Sequence, residues 1–144
     1  MEFRRMSLDD LNKIASNLNN FDDFWTFGIF KEELINPKCH YIVAVQDEDI
    51  LGFGGISVVL DEANINNIAV RVDKRDIKIG SKILQNLIDI SKSLNCSFIT
   101  LEVNVENSPA IKLYENFGFK NLGIRKNYYN GKTDAYIMKL EVEK

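Results

Sequence analysis

The chain has one histidine, His40, and two cysteines, Cys39 and Cys96, in 144 residues. A single imidazole excludes any centre that needs two, and the cysteines are too far apart for CxxC spacing, so no metal is expected. With no disulfide framework in view, each thiol is expected to stay reduced and to pack as a small apolar side chain. No apolar run approaches the ~20 residues that span a bilayer, so no membrane partner is expected. The opening Met1-Glu2-Phe3-Arg4-Arg5 leads into a polar, acidic stretch instead of an apolar core. That is not a secretory pattern, and a cytoplasmic protein is expected. There is no basic surplus either. The net charge is −3, whereas a duplex-binding surface offsets phosphates with cations, so direct nucleic-acid binding is not expected. An acidic surface favours cationic partners such as amines.

What remains is an ordinary globular balance, 45% hydrophobic and 27% charged, in a length that suits one domain over residues 1–144. Repeats, low-complexity tracts and Pro/Gly-rich linkers are missing. Glu2–Arg5 reads as a short strand. Ser7 with Asp10 three residues on forms a capping-box start to a helix striped by Leu8, Leu11, Ile14, Ala15 and Leu18. A second helix is predicted over Asp23–Ile35, ended by Pro37. Its aromatic cluster, Phe21, Phe24, Trp25, Phe27 and Phe30, suits a core or cleft wall better than a base-stacking platform, because interleaved cations are missing. His40–Gln46 and Leu51–Leu60 read as a hairpin about the turn Asp47-Glu48-Asp49, and Glu62–Val70 as a further strand.

A charged loop, Arg71–Lys78, then opens an amphipathic helix with apolar Ile79, Ile83, Leu84, Leu87, Ile88, Ile90 and Leu94. Ser97–Val103 is a strand. Asn107-Ser108-Pro109 starts a helix that Gly118 ends. Phe119–Tyr129 and Thr133–Leu140 form a hairpin about Asn130-Gly131. The order β-α-α-β-β-β-α-β-α-β-β predicts a mixed α/β layer. A loop that opens a helix directly after a strand presents free N–H groups, a natural anion site.

Along this order lie Val59-Leu60-Asp61-Glu62-Ala63, Asn67-Ile68-Ala69-Val70, Leu101-Glu102-Val103, Asn107-Ser108-Pro109-Ala110-Ile111-Lys112-Leu113-Tyr114-Glu115, Gly118-Phe119 and Ile124-Arg125-Lys126-Asn127-Tyr128-Tyr129. In this order and spacing the chain resembles the GNAT superfamily of acetyltransferases and, within it, the bacterial RimI-type N-terminal protein acetyltransferases. The resemblance implies a central twisted, mostly antiparallel sheet, splayed at a parallel strand pair and flanked by about four helices. It implies acetyl-CoA as co-substrate, with its pantetheine arm between the strand ending in Ile68, Ala69 and Val70 and the strand carrying Glu102. The pyrophosphate would sit on the loop Arg75, Asp76, Ile77, Lys78, Ile79, Gly80 and Ser81. Lys78 stands there in place of the family's first glycine, where backbone would approach the phosphates most closely; its ammonium offers a phosphate partner instead.

By the same resemblance Glu102 is the general base and Tyr114 the general acid that protonates the departing sulfur, while Asn107 touches CoA as well as capping its helix. Residue chemistry alone leaves each one a plainer role: an edge-strand carboxylate, a core phenol and a helix cap. Oxyanion donors are expected from backbone around Ala69 and Val70. Tyr128 and Tyr129 suit either an acceptor groove or an ordinary strand. The implied acceptor is a protein N-terminus, that of a small-subunit ribosomal protein beginning with alanine, acetylated by direct transfer. A small free amine, polyamine or amino acid, and a non-catalytic acyl-CoA-binding module motivated by Lys78, are the alternatives.

Overall fold

The computed structural model describes residues 1–16, 32, 34–71, 73, 78–129 and 133–142. Ten elements follow in order: β1 Glu2–Arg5, α1 Leu8–Ser16, β2 Cys39–Gln46, β3 Asp49–Val59, β4 Glu62–Val70, α2 Ile79–Ser93, β5 Phe98–Asn104, α3 Ser108–Asn116, β6 Lys120–Tyr129 and β7 Thr133–Glu141. Glu32, Leu34 and Ile35 are helical too. The rest of the helix predicted over Asp23–Ile35, its aromatic cluster and the Asn130-Gly131 turn lie outside the described residues.

The seven strands form one sheet in the order β1-β2-β3-β4-β5-β7-β6. Every neighbouring pair is antiparallel except β4 and β5. That parallel pair is joined only at Glu62↔Phe98, Ala63↔Ile99 and Asn64↔Thr100. Beyond these rungs the strands run on to Val70 and Asn104 without pairing to each other, so the mixed sheet is splayed in its middle, as the resemblance implied.

Each face carries its own core. On one, Ile79, Ile83, Leu84, Leu87 and Ile88 of α2 pack against Ile56, Ile65, Ile99, Leu101 and Val103. The 3.6-residue stripe of α2 meets the two-residue alternation of the strands, which makes this face apolar throughout. Contact is close enough that a Cβ on Gly54 would stand 2.6 Å from Ile83 Cγ2. Leu94, read as part of the stripe, is instead 39% exposed just past the last turn of α2. On the opposite face, Leu11 and Ile14 of α1 cover Met6, Tyr41, Val43, Phe53 and Ala69. The Tyr41 ring lies against the backbone of Gly55, where any side chain would collide with it.

α1 starts through the expected reciprocal cap. The Ser7 N–H donates to Asp10 Oδ2 at 2.8 Å, and the Asp10 N–H donates to Ser7 Oγ at 3.2 Å. Arg4 adds a forked pair to the same carboxylate at 2.7 and 2.9 Å. Burial by itself would raise the Asp10 pKa, but the Arg4 and Ser7 donors outweigh it and bring the group from 3.8 down to about 2. Cys39 and Cys96 are both buried. Among the described residues no helix is long and apolar enough to cross a membrane, and no three His, Cys, Asp or Glu cluster as metal ligands would.

Candidate functional site

The splay has a local cause that can be followed residue by residue. Between β3 and β4 the register shifts: Ile56 pairs with Ile65, but Gly55 pairs with Asn67, leaving Asn66 as the extra residue of a bulge. A bulge bends its strand and sharpens the twist. Side chains hold it in place. Ser57 Oγ donates to Asn66 Oδ1 at 2.8 Å, Asn64 Nδ2 donates to the same oxygen at 3.4 Å, and Thr100 Oγ1 donates to Asn64 Oδ1 at 3.0 Å. The chain of bonds therefore crosses from β3 to β5 at the last paired rung, where the two parallel strands part.

Glu102 lies just past that rung on β5. Its neighbours Leu101 and Val103 are 1% and 5% exposed in the α2-face core. Alternation turns Glu102 to the α1 face. Its side chain is 24% exposed, and Arg125 Nη1 of β6 lies 3.3 Å from Oε1. With Arg125 itself 56% exposed, such a pair adds little to stability but limits the directions in which the carboxylate points. Tyr114 comes from α3 on the other side. It is 8% exposed, belongs to the α2-face core and meets the Phe119 ring edge-on at 5.6 Å between centroids. One carboxylate and one phenol thus stand on opposite faces of the sheet. On β4, Ile68 and Val70 pack on the α2 face and Ala69 is buried on the α1 face.

The two helices that start near the opening begin differently. α3 is closed by Asn107, whose Oδ1 accepts the Ala110 N–H at 3.2 Å, with Pro109 in the first turn. α2 has no side-chain cap among the described residues, and Lys78 at its N-cap sits in the left-handed region at φ 61°, ψ 28°. Glycine is the residue that adopts this conformation without strain. Lys78 is exposed, Ile79 buried, and Gly80 and Ser81 half-buried. Arg75, Asp76 and Ile77 lie outside the described residues. The first turn of α2 therefore keeps its N–H groups for water or an anion. Arg71, where the charged loop begins, is engaged by Asp73 through bonds of 3.0 and 2.7 Å.

The sequence did not point to Arg125 as a partner of Glu102 or to the Asn66 bulge. A signal was present: Asn64, Asn66 and Asn67 crowd one strand, although asparagine suits strands poorly. The side chains of Tyr128 and Tyr129 are outside what the structure describes.

A strand pair opened by a bulge, with a helix start left uncapped beside it, invites comparison with known families. The acetyltransferase (GNAT) family model matches residues 6–119. The chain belongs to the GNAT acetyltransferases. Among curated GNAT relatives, a Bacillus subtilis protein provisionally named [ribosomal protein bS18]-alanine N-acetyltransferase is 38% identical over 139 residues, covering 94% of this chain and 91% of its own. A solved structure, the ribosomal-protein-S18-alanine N-acetyltransferase from Escherichia coli, superposes with a TM-score of 0.90 at 31% identity, over 99% of this chain and 94% of that one. Arabidopsis thaliana NAA60 in complex with acetyl-CoA gives a TM-score of 0.87 over 98% of both chains; at 19% identity this likeness shows the fold alone. This GNAT chain is accordingly an N-acetyltransferase of the RimI kind.

Proposed function

We propose that the enzyme moves the acetyl group of acetyl-CoA onto the α-amine of a protein N-terminus, in the cytoplasm, and that its acceptor is a small-subunit ribosomal protein beginning with alanine. The observation that carries this reading is the opening between β4 and β5, three rungs after they pair, with Glu102 on one face and Tyr114 on the other. The relatives from Bacillus subtilis and Escherichia coli supply the acceptor, since both are named for alanine N-acetylation of this ribosomal protein.

The residues present fit the co-substrate. Backbone of β4 past Asn64 has no strand to bond on the β5 side, which suits an extended pantetheine arm lying there as an added strand would. The uncapped first turn of α2, from Lys78 to Ser81, suits the pyrophosphate, and Asn107 stands at the start of α3 nearby. Acetyl-CoA supplies the activated acyl carbon. An amine attacks only after losing its proton, and Glu102 accepts that proton, directly or through a water. N–H groups about Ala69 and Val70 meet charge on the acyl oxygen in this reading. Tyr114 would give its hydroxyl proton to the sulfur as the carbon–sulfur bond breaks, and would regain a proton from the nitrogen as the amide forms. Transfer is direct, with no acyl-enzyme.

Mass spectrometry of alanine-initiated peptides incubated with acetyl-CoA tests the acceptor. Acetylated α-amines are expected; unmodified peptides beside an acetylated polyamine would overturn the protein acceptor, and acetyl-CoA binding with no turnover of either would mark a sensor. Glu102→Gln and Tyr114→Phe are each expected to lower turnover by more than about tenfold with CoA affinity nearly unchanged.

A further inference from the structure

β4 carries three asparagines within four residues, and two of them are accounted for by the bulge. Asn64 and Asn66 bond to Thr100, Ser57 and one another. Asn67 is different. Its Nδ2 is enclosed and has no hydrogen-bond partner among the described residues. A donor shut away from water without an acceptor is costly, and such groups in folded proteins call for a reason. Asn67 pairs with Gly55, whose backbone is covered by Tyr41 of the α1-face core, so its side chain rises from the α1 face. Glu102 stands on that same face across the opening.

We infer that Asn67 reads the acceptor: its amide donates to the oxygen of the carbonyl group next to the carbon that bears the reacting amine. This rests on the proposed acceptor and deepens it. An N-terminal residue holds a carbonyl two bonds from its amine, whereas a lysine side chain, a polyamine or a simple alkylamine holds none. A donor across the opening from the base therefore selects α-amines by a group next to the nitrogen, not by the nitrogen itself. Hydrogen-bonding sites discriminate strongly in this way, because an acceptor that lacks the matching group leaves the site's donor unpaired. Asn67 is half-buried, and its terminal torsion is broad and roughly two-fold, so a turn of the amide brings the N–H to the opening when the acceptor enters.

Steady-state kinetics with two acceptors test this. One is an alanine-initiated peptide; the other is isopropylamine, which presents the same branched amine without a carbonyl. In Asn67→Leu the ratio of kcat/KM for peptide to that for isopropylamine is expected to fall about tenfold, mostly through peptide KM. Asn67→Ser, which keeps a donor, should recover part of the ratio. Calorimetric CoA affinity and melting temperature show that each variant is folded, and removing an enclosed orphan donor should leave the Leu variant's melting temperature level or higher. A ratio unchanged in both variants overturns the inference, as does an equal loss with both acceptors, which would place the amide on the acyl oxygen. If the wild-type enzyme acetylates isopropylamine but not the peptide, the acceptor reading itself fails, and the two failures are told apart.

Discussion

Leu101 and Glu102 are chain neighbours on β5, yet one is sealed into the α2-face core at 1% exposure and the other stands 24% exposed by the opening. The same contrast holds for the sheet as a whole. Its α2 face is an apolar layer under α2 and α3. Its α1 face is apolar over β2 and β3, beneath α1, and at Ala69 of β4, and turns polar elsewhere on β4 and β5, where Asn64, Asn66 and Thr100 are bonded to one another and to Ser57 of β3. Burial on one face supplies stability that the other does not need to supply, and this leaves the second free to hold groups that strands ordinarily avoid.

If the division is real, substitutions on the two faces should separate stability from turnover. The largest stability effect is expected for Leu101→Ala, about 3 kcal/mol by denaturant midpoint, from lost burial and the cavity left behind. Glu102→Gln, one residue on, should shift that midpoint by no more than about 0.5 kcal/mol, with its loss confined to turnover. A Glu102 variant that unfolds as readily as the Leu101 variant would break the comparison.

Acid should act through one group on each face. Asp10, in the first turn of α1, has a pKa below its unfolded value, so its contribution is complete above about pH 4 and is lost as pH falls toward 2. The loss is on the order of 2 kcal/mol. Unfolding midpoints measured across that range should fall in the wild type and much less in Asp10→Asn, which begins from lower stability. Lys78→Gly relieves a left-handed lysine and should raise stability by about 0.5–1 kcal/mol, part of the strain relief being offset by a more flexible unfolded chain. Thermal melts would show it. The smallest effect belongs to His40, paired with Ile56 of the α2-face core. Burial, and then the Arg5 charge, depress its pKa below 6.5, so its share of stability is present above that pH and declines on acidification. His40→Gln should flatten the midpoint slightly between pH 8 and 5.

Most of the fold was legible because its signals are local. Periodicity gave α2 within a residue at its end, Glu62–Val70 matched β4, and Ser7 with Asp10, and Asn107 with Pro109, marked helix starts that the structure shows. The splay came from resemblance, since nothing in the composition of β4 or β5 states how far they pair. What stayed hidden depends on register. A bulge at Asn66 follows from which residue of β3 faces which residue of β4, and the Arg125–Glu102 contact joins strands separated in the sheet by β7. Alternation alone could tell that Glu102 leaves the core, but not what it meets there.

A sheet whose middle pair lets go after three rungs has an unfinished seam. With acetyl-CoA lying there as proposed, cohesion between the two halves, β1–β4 and β5–β7, grows, so resistance to heat should track the supply of acetyl-CoA. At a hundredfold excess over its dissociation constant the gain is about 2.7 kcal/mol. Such a chain would be sturdiest when acetyl donors are plentiful and most exposed to proteolysis when they run short.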